Sequence, residues 1–199
     1  MNHSMRILQM LTPVLTAVLL SGCIVSDPLY VEYAIETNLV GEIVVESTGI
    51  HSNDDNPEKR KEEFKQYCDE GYLEQGQEWV SFFSLDDARI ILTNRTDTTC
   101  EVVVKGKFDN LARALSLLAG EHDYEIRKSG PFFVARLLTG MAEEDDDQEF
   151  TVVIHYVGEI VAHNAHVFDE ESGTMTWSGS NLDDSGVQFI LKAVESNDE

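Results

Sequence analysis

The sequence predicts an α+β fold, a single domain of mainly antiparallel β-sheet with about two helices packed on it. Three observations carry that expectation. Short runs in which β-branched and aromatic residues alternate with polar ones recur from Leu29 to Val194, the period-two signature of half-buried strands. Only two segments carry helix start signals, and they do not alternate with the strands as a parallel α/β fold would require. No repeat of solenoid period, no second apolar core and no linker interrupts the chain.

The elements follow in order. In residues 29–35, Tyr30, Glu32 and Ala34 fall on one side and Val31, Tyr33 and Ile35 on the other, and 40–46 repeats the pattern after Thr37-Asn38. Together they predict a meander that opens the sheet. Residues 51–56 are polar and read as a loop, after which Asn56-Pro57 supplies an N-cap and a proline at the first helical position. This helix is expected to run to about residue 69, with Phe64, Tyr67 and Cys68 on one face and Gly71 as its stop. Its Lys59-Arg60-Lys61 triplet is interleaved with Glu58, Glu62 and Glu63, which marks a solvated face laced by i,i+4 pairs and not a basic patch.

Residues 89–93 and 100–107 are β-rich and joined by a polar loop, a hairpin signature. Asp109 is then expected to cap a helix in which Leu111, Leu115 and Leu118 stack at i, i+4 and i+7, with Ala114 alongside and Gly120 as the stop. One apolar stripe means that this helix lies across a sheet. A second hairpin, 124–128 and 132–138, turns at Ser129-Gly130. The acidic run 143–147 cannot pack and is expected as an exposed loop. Residues 150–156, 159–162, 175–177 and 187–194 supply the last strands, punctuated by Gly158, Ser172-Gly173 and Ser185-Gly186. Residues 196–199 have nothing to bury and are expected to fray.

The N-terminus gives an address. Met1 to Arg6 carries one positive charge, residues 7–20 are mostly apolar, and no acid precedes Cys23. The apolar stretch is short for a membrane span and has small residues at its end, as a secretory signal does. Leu20-Ser21-Gly22-Cys23 resembles the bacterial lipobox, which implies cleavage before Cys23 and acylation of its sulfur. Residues 1–22 are thus read as a lipoprotein signal peptide, 23–28 as a membrane tether and 29–195 as the domain. Several buried acyl chains give a lasting attachment where a single chain is marginal. Ile24, and not Asp, follows the cysteine, which by the sorting preference of enteric bacteria points to the outer membrane, facing the periplasm.

Composition narrows the partners. Without residues 1–22 the chain keeps 177 residues, 13 of them basic and 37 acidic, a net charge of −24. Such a surface repels phosphates and anionic headgroups, so nucleic-acid and peripheral-membrane roles are disfavoured and the only membrane contact expected is the N-terminal lipid. Cys68 and Cys100 remain as an even pair in an exported chain, and an oxidising compartment favours a structural disulfide between them. A metal-binding or redox pair normally sits closer, as in Cys-x-x-Cys.

No motif for chemistry stands out. His163 and His166 lie three apart, so on a strand they would point to opposite faces and could not clasp one ion without a turn between them; His155 is nearby. Asp145-Asp146-Asp147 with Glu149 lacks the glycine and distal glutamate of an EF-hand loop. There is no Gly-x-Ser-x-Gly elbow, His-Glu-x-x-His or phosphate loop. No metal, cofactor or catalytic residue is assigned, and the expectation is a protein that is not an enzyme.

In the C-terminal third, residues 150–154, Gly158-Glu159-Ile160-Val161, His163-Asn164-Ala165 and Gly173-Thr174-Met175-Thr176-Trp177 form a pattern that resembles the LppM-like (DUF3153) lipoprotein domain of bacteria. Phe108-Asp109-Asn110-Leu111 resembles the start of that family's helix, and Cys23 and the opening meander fit its beginning. The two cysteines and the acidic loops depart from the pattern. The resemblance implies an anchored α+β domain and, for activity, lipid binding; it carries over no catalytic residue.

The leading expectation is therefore a lipid-anchored, non-enzymatic envelope lipoprotein that binds a lipid or other amphipathic ligand. In that case Leu111, Ala114, Leu115, Leu118, Phe132, Ile154 and Trp177 would line an apolar cavity between helix and sheet. The same residues, Trp177 above all, serve equally as an ordinary core. The alternative is an envelope interaction or assembly subunit that uses its acidic surface or a sheet edge, and an envelope hydrolase comes third.

Overall fold

The structure, a computed structural model, describes residues 24–52, 56–82, 84–116, 124–137, 150–179 and 186–193. It is α+β, as the strand pattern predicts, with the strands divided between two sheets. β1 (Ile24–Ile35) and β2 (Gly41–Ser52) form the opening meander, in the register Val31↔Val45 and Tyr33↔Ile43. Strand pairing reaches back to Ile24, through the stretch read as a tether, with two register shifts between Val25 and Leu29. At the turn, a Cβ on Gly41 would stand 1.9 Å from the Ala34 carbonyl oxygen, so the tight reversal requires glycine.

β3 (Asp86–Thr93) and β4 (Cys100–Phe108) make the predicted hairpin and join β2. β7 (Phe150–Tyr156), β9 (Val167–Asp169) and β10 (Thr174–Gly179) complete a seven-stranded sheet of order β3-β4-β2-β1-β7-β10-β9. β1 and β7 pair in parallel, the one parallel contact between the described strands, with Val31 opposite Val152 and Tyr33 opposite Ile154. The second sheet has the order β5-β6-β11-β8, from Tyr124–Ser129, Phe132–Leu137, Val187–Lys192 and Glu159–His163.

Helix α1 (Pro57–Lys65) starts as the sequence predicts: the Asn56 side chain accepts the backbone N–H groups of Glu58 and Lys59. Gly71 does not stop it. A π-helical stretch (Gln66–Gly71) leads into a further helix, α2 (Tyr72–Phe82), that the sequence reading did not anticipate. Tertiary packing overrides the glycine signal here. Tyr72, Trp79 and Val80 share one helical face and pack on the cores, and Gly76 lets that face approach β3 so closely that a Cβ would meet Ile90 at 2.5 Å. Helix α3 (Leu111–Ser116) is capped by Asn110 and not Asp109: the Asn110 carboxamide oxygen accepts the Arg113 N–H at 3.1 Å. Leu118 and the acidic run 143–147 lie outside the described residues.

Both layers cover the same face of the large sheet. The α1–α2 segment lies over the β3–β4 half, where Phe64 and Cys68 pack with Cys100 and Val102. The small sheet lies over the β1–β7–β10 half, where Phe133, Leu137, Phe189 and Leu191 share one buried cluster with Val31, Ile154 and Trp177. Alternation explains both sides: β6 buries Phe133, Ala135 and Leu137, and β11 buries Val187, Phe189 and Leu191. The opposite face of the large sheet presents Glu42, Lys105 and Lys107 to solvent.

Candidate functional site

The described residues expected to line a cavity fall into two groups. Leu111, Ala114, Leu115, Ile154 and Trp177 are each no more than 2% exposed and belong to one continuous core. Tyr33 extends that core under α3, where its hydroxyl donates to the Ala114 carbonyl at 3.1 Å, and burial raises the pKa of this phenol well above its ordinary value. Phe132 corrects the sequence expectation. It lies on the outer face of β6, 37% exposed, and its neighbour Phe133 is the buried one, because successive strand residues point to opposite faces.

An open depression of about 230 Å3 lies beside α3, between the β1–β2 turn and the β5–β6 hairpin. Leu39, Leu111, Ile126 and Phe133 give it an apolar floor, and Asp109, Arg127 and Lys128 stand at its rim. Of the six described residues among the seven proposed from sequence, Leu111 alone contributes to it.

Cys68 and Cys100 are joined, with their Cα atoms 6.3 Å apart. The bond ties the π-helical stretch to the start of β4. Arg95, in the β3–β4 loop, reinforces it: its Nε and Nη2 donate to Asp69 Oδ1 at 2.9 and 2.8 Å, and its guanidinium sits 4.7 Å from the Phe64 ring centroid.

The histidines separate. His155 joins a line of hydrogen bonds on the outer face of the large sheet: Nε2 lies 3.0 Å from Glu32 Oε1 and Nδ1 2.7 Å from Thr174 Oγ1, which in turn lies 2.6 Å from Ser172 Oγ. Tyr30 donates to the second Glu32 oxygen at 2.7 Å, and burial, helped by that carboxylate, raises its pKa. His155 and Glu32 are each about one-third exposed on a sheet surface. His163 and His166 flank a turn and are occupied separately, each accepting a backbone N–H at Nδ1, from Ala165 and Ser178. Among the described residues no three His, Cys, Asp or Glu side chains converge as metal ligands.

Between those histidines lies a residue whose role the sequence reading did not identify. Asn164 Oδ1 accepts both the Trp177 indole N–H and the Gln188 backbone N–H, each at 2.8 Å, while Nδ2 donates to the Gly186 carbonyl at 2.7 Å. One carboxamide thus fastens β10 of the large sheet to β11 of the small one. This geometry gives a structural reason for the Asn turn and the Gly-x-Thr-x-Thr-Trp stretch to occur together.

The same turn brings together two strands that, among the described residues, end their sheets. β8 ends the small sheet, β9 ends the large one, and the His163 and Phe168 rings meet at 4.4 Å. Three of the large apolar side chains that remain exposed, Val161, Val167 and Phe168, sit on these two strands. Beside them Asp169 accepts hydrogen bonds from Ser172 and Glu171, led by the Ser172 side chain, which hold its carboxyl below the usual range.

No protein-family model and no curated protein matches the chain. Among solved structures it is similar to the NMR structure of the folded domain of Mycobacterium tuberculosis LppM, with a TM-score of 0.46 and 13% identity over 86% of this chain and 94% of that one.

Proposed function

We propose that this chain is a lipid-anchored, non-enzymatic envelope lipoprotein whose domain docks another envelope protein. One observation carries the docking role. The layer between α3 and the sheets is filled by Leu111, Ala114, Leu115, Ile154 and Trp177, while exposed apolar side chains gather on the β8–β9 corner. The address rests on the Leu20-Ser21-Gly22-Cys23 lipobox, with Ile24 favouring the outer membrane and the periplasm. The Cys68–Cys100 bond supports an exported, oxidising compartment. No helix among the described residues is long and apolar enough to cross a membrane, so the acylated Cys23 supplies the attachment in this reading.

Metabolic labelling with an alkyne fatty acid tests the anchor. Label is expected on the wild-type chain and lost in Cys23→Ser; undiminished label in that variant refutes the assignment.

The second reading, an amphipathic ligand, is favoured by the depression at Leu111, Ile126 and Phe133 with Arg127 and Lys128 at its rim. Its volume falls below the roughly 300–1,000 Å3 of sites that bury most of a ligand, and it is open to solvent, which is why docking ranks first.

A further inference from the structure

Charge is distributed unevenly along this chain. Between Arg136 and Lys192 lie 55 residues with twelve acids and no Lys or Arg. In the fold this stretch supplies β7, β8, β9 and β10, including the corner where both sheets end, and of its acids Glu159, Asp169, Glu170 and Glu171 fall among the described residues. Val161, Val167 and Phe168 are 47, 63 and 38% exposed there. Glu159 is paired with Lys192 at 2.6 Å, but no described cation pairs with Glu170 or Glu171.

The other two sheet edges are built differently. β3 carries Arg89 and a register shift after Asp86, with Asp87 at a φ of 51°. β5 carries Arg127 and Lys128. Basic residues and irregularities of this kind keep an edge from recruiting another strand. β8 and β9 carry no Lys or Arg, and no described cation pairs with Asp169, Glu170 or Glu171 at the end of β9.

We propose that the β8–β9 corner is the docking edge for an extended, basic strand of another envelope protein, one in which Lys or Arg alternates with apolar residues. This proposal rests on the docking role above and names its partner chemistry. Main-chain pairing along Glu159–His163 supplies affinity, Val161, Val167 and Phe168 receive the apolar side chains, and Asp169, Glu170 and Glu171 attract the cations. A second copy is the wrong occupant on charge grounds, since each mature chain carries −24. An anionic lipid surface is disfavoured for the same reason.

The test uses the full chain in nonionic detergent and a fluorescent peptide of alternating Lys and Val, read by anisotropy. Saturable binding is expected, weakening as salt rises. It should fall at least tenfold in the Val161→Lys/Val167→Lys variant, whose exposed sites leave the melting temperature unchanged. It should also be lost with a Glu–Val peptide and with a Lys–Val peptide N-methylated on alternate amides, which keeps the charge but cannot pair as a strand. The proposal is overturned by absence of binding at low salt, by undiminished binding in the double variant, by equal binding of the methylated peptide, or by self-association in ultracentrifugation that the double variant abolishes. Acyl labelling at Cys23 is independent of every one of these outcomes, so loss of the edge and loss of the anchor are read separately.

Discussion

Asn164 accepts the Trp177 indole N–H at 2.8 Å, and through this contact the two sheets hold one register. Both side-chain ends of Asn164 are committed, to Trp177 and Gln188 on the oxygen and to Gly186 on the nitrogen, which also fixes the orientation of the amide. Trp177 is fully buried and lies 6.2 Å from the Phe189 ring, so its N–H has no access to water if Asn164 is removed.

The first prediction follows from that geometry. Asn164→Ala strands the indole and the Gln188 N–H and should cost about 2–3 kcal/mol, as unsatisfied buried donors do. Asn164→Asp keeps both acceptor contacts but sets a carboxylate oxygen against the Gly186 carbonyl, so it should also destabilise, and less so at a pH low enough to protonate the carboxyl. Urea midpoints measured by Trp fluorescence check both; equal stability of Asn164→Ala and wild type refutes the clamp.

The second prediction concerns the disulfide. Closing a separation of 32 residues should contribute on the order of 3–4 kcal/mol in the chain-entropy model. Cys68→Ala/Cys100→Ala should lower the melting temperature accordingly, and reductant should have no further effect on the variant. Arg95→Ala in the wild-type background should cost less than the disulfide, since the guanidinium is about one-third exposed. Thiol counting on exported, unreduced protein should find neither cysteine free.

Much of this architecture was legible because burial imposes periodicity. Strands β1, β2, β6 and β11 each bury alternate residues, and that alternation is written in the sequence. α2 was not legible, because Gly71 and Gly76 read as breakers until Ile90 is seen packed against Gly76. β9 has three residues, too few for a pattern to register. Phe132 and Phe133 are chemically identical neighbours, and only pairing with β11 decides which faces inward. Asn164 was quoted as part of a motif, but its partners Trp177, Gly186 and Gln188 lie 13 to 24 residues away, beyond any local rule. The absence of Lys and Arg across 137–191 was visible all along, and it acquired meaning only once β8 and β9 proved to be edges.

The third prediction separates core from ligand site. Leu115 is fully buried, so Leu115→Ala should cost about 2–5 kcal/mol by cavity formation. A fluorescent fatty-acyl probe should not bind the folded chain through this layer. Saturable binding that Ala114→Phe blocks, in a variant that still folds, would restore an internal acyl site. Binding that Lys128→Glu weakens while Ala114→Phe leaves it alone would place the ligand in the depression beside α3 instead.

The last prediction uses the buried phenols. Burial raises the pKa of Tyr33, and to a lesser depth that of Tyr156, whose hydroxyl donates to the Lys192 carbonyl at 2.6 Å. In the unfolded chain these groups ionise near pH ~10. Above that pH the unfolded state releases protons that the folded state retains, so folding stability is fully present below about pH 10 and falls as pH rises past it. An ultraviolet titration of tyrosinate should therefore show a late stage, from the buried phenols, that coincides with loss of the far-ultraviolet β signal. Tyr33→Phe should shrink the late stage by one phenol and, by removing the donor to the Ala114 carbonyl, cost about 1 kcal/mol at neutral pH. If the late stage is absent, or Tyr33→Phe leaves it unchanged while the fold remains intact, Tyr33 is not sealed beneath α3 and the closed core that favours docking over lipid enclosure is wrong.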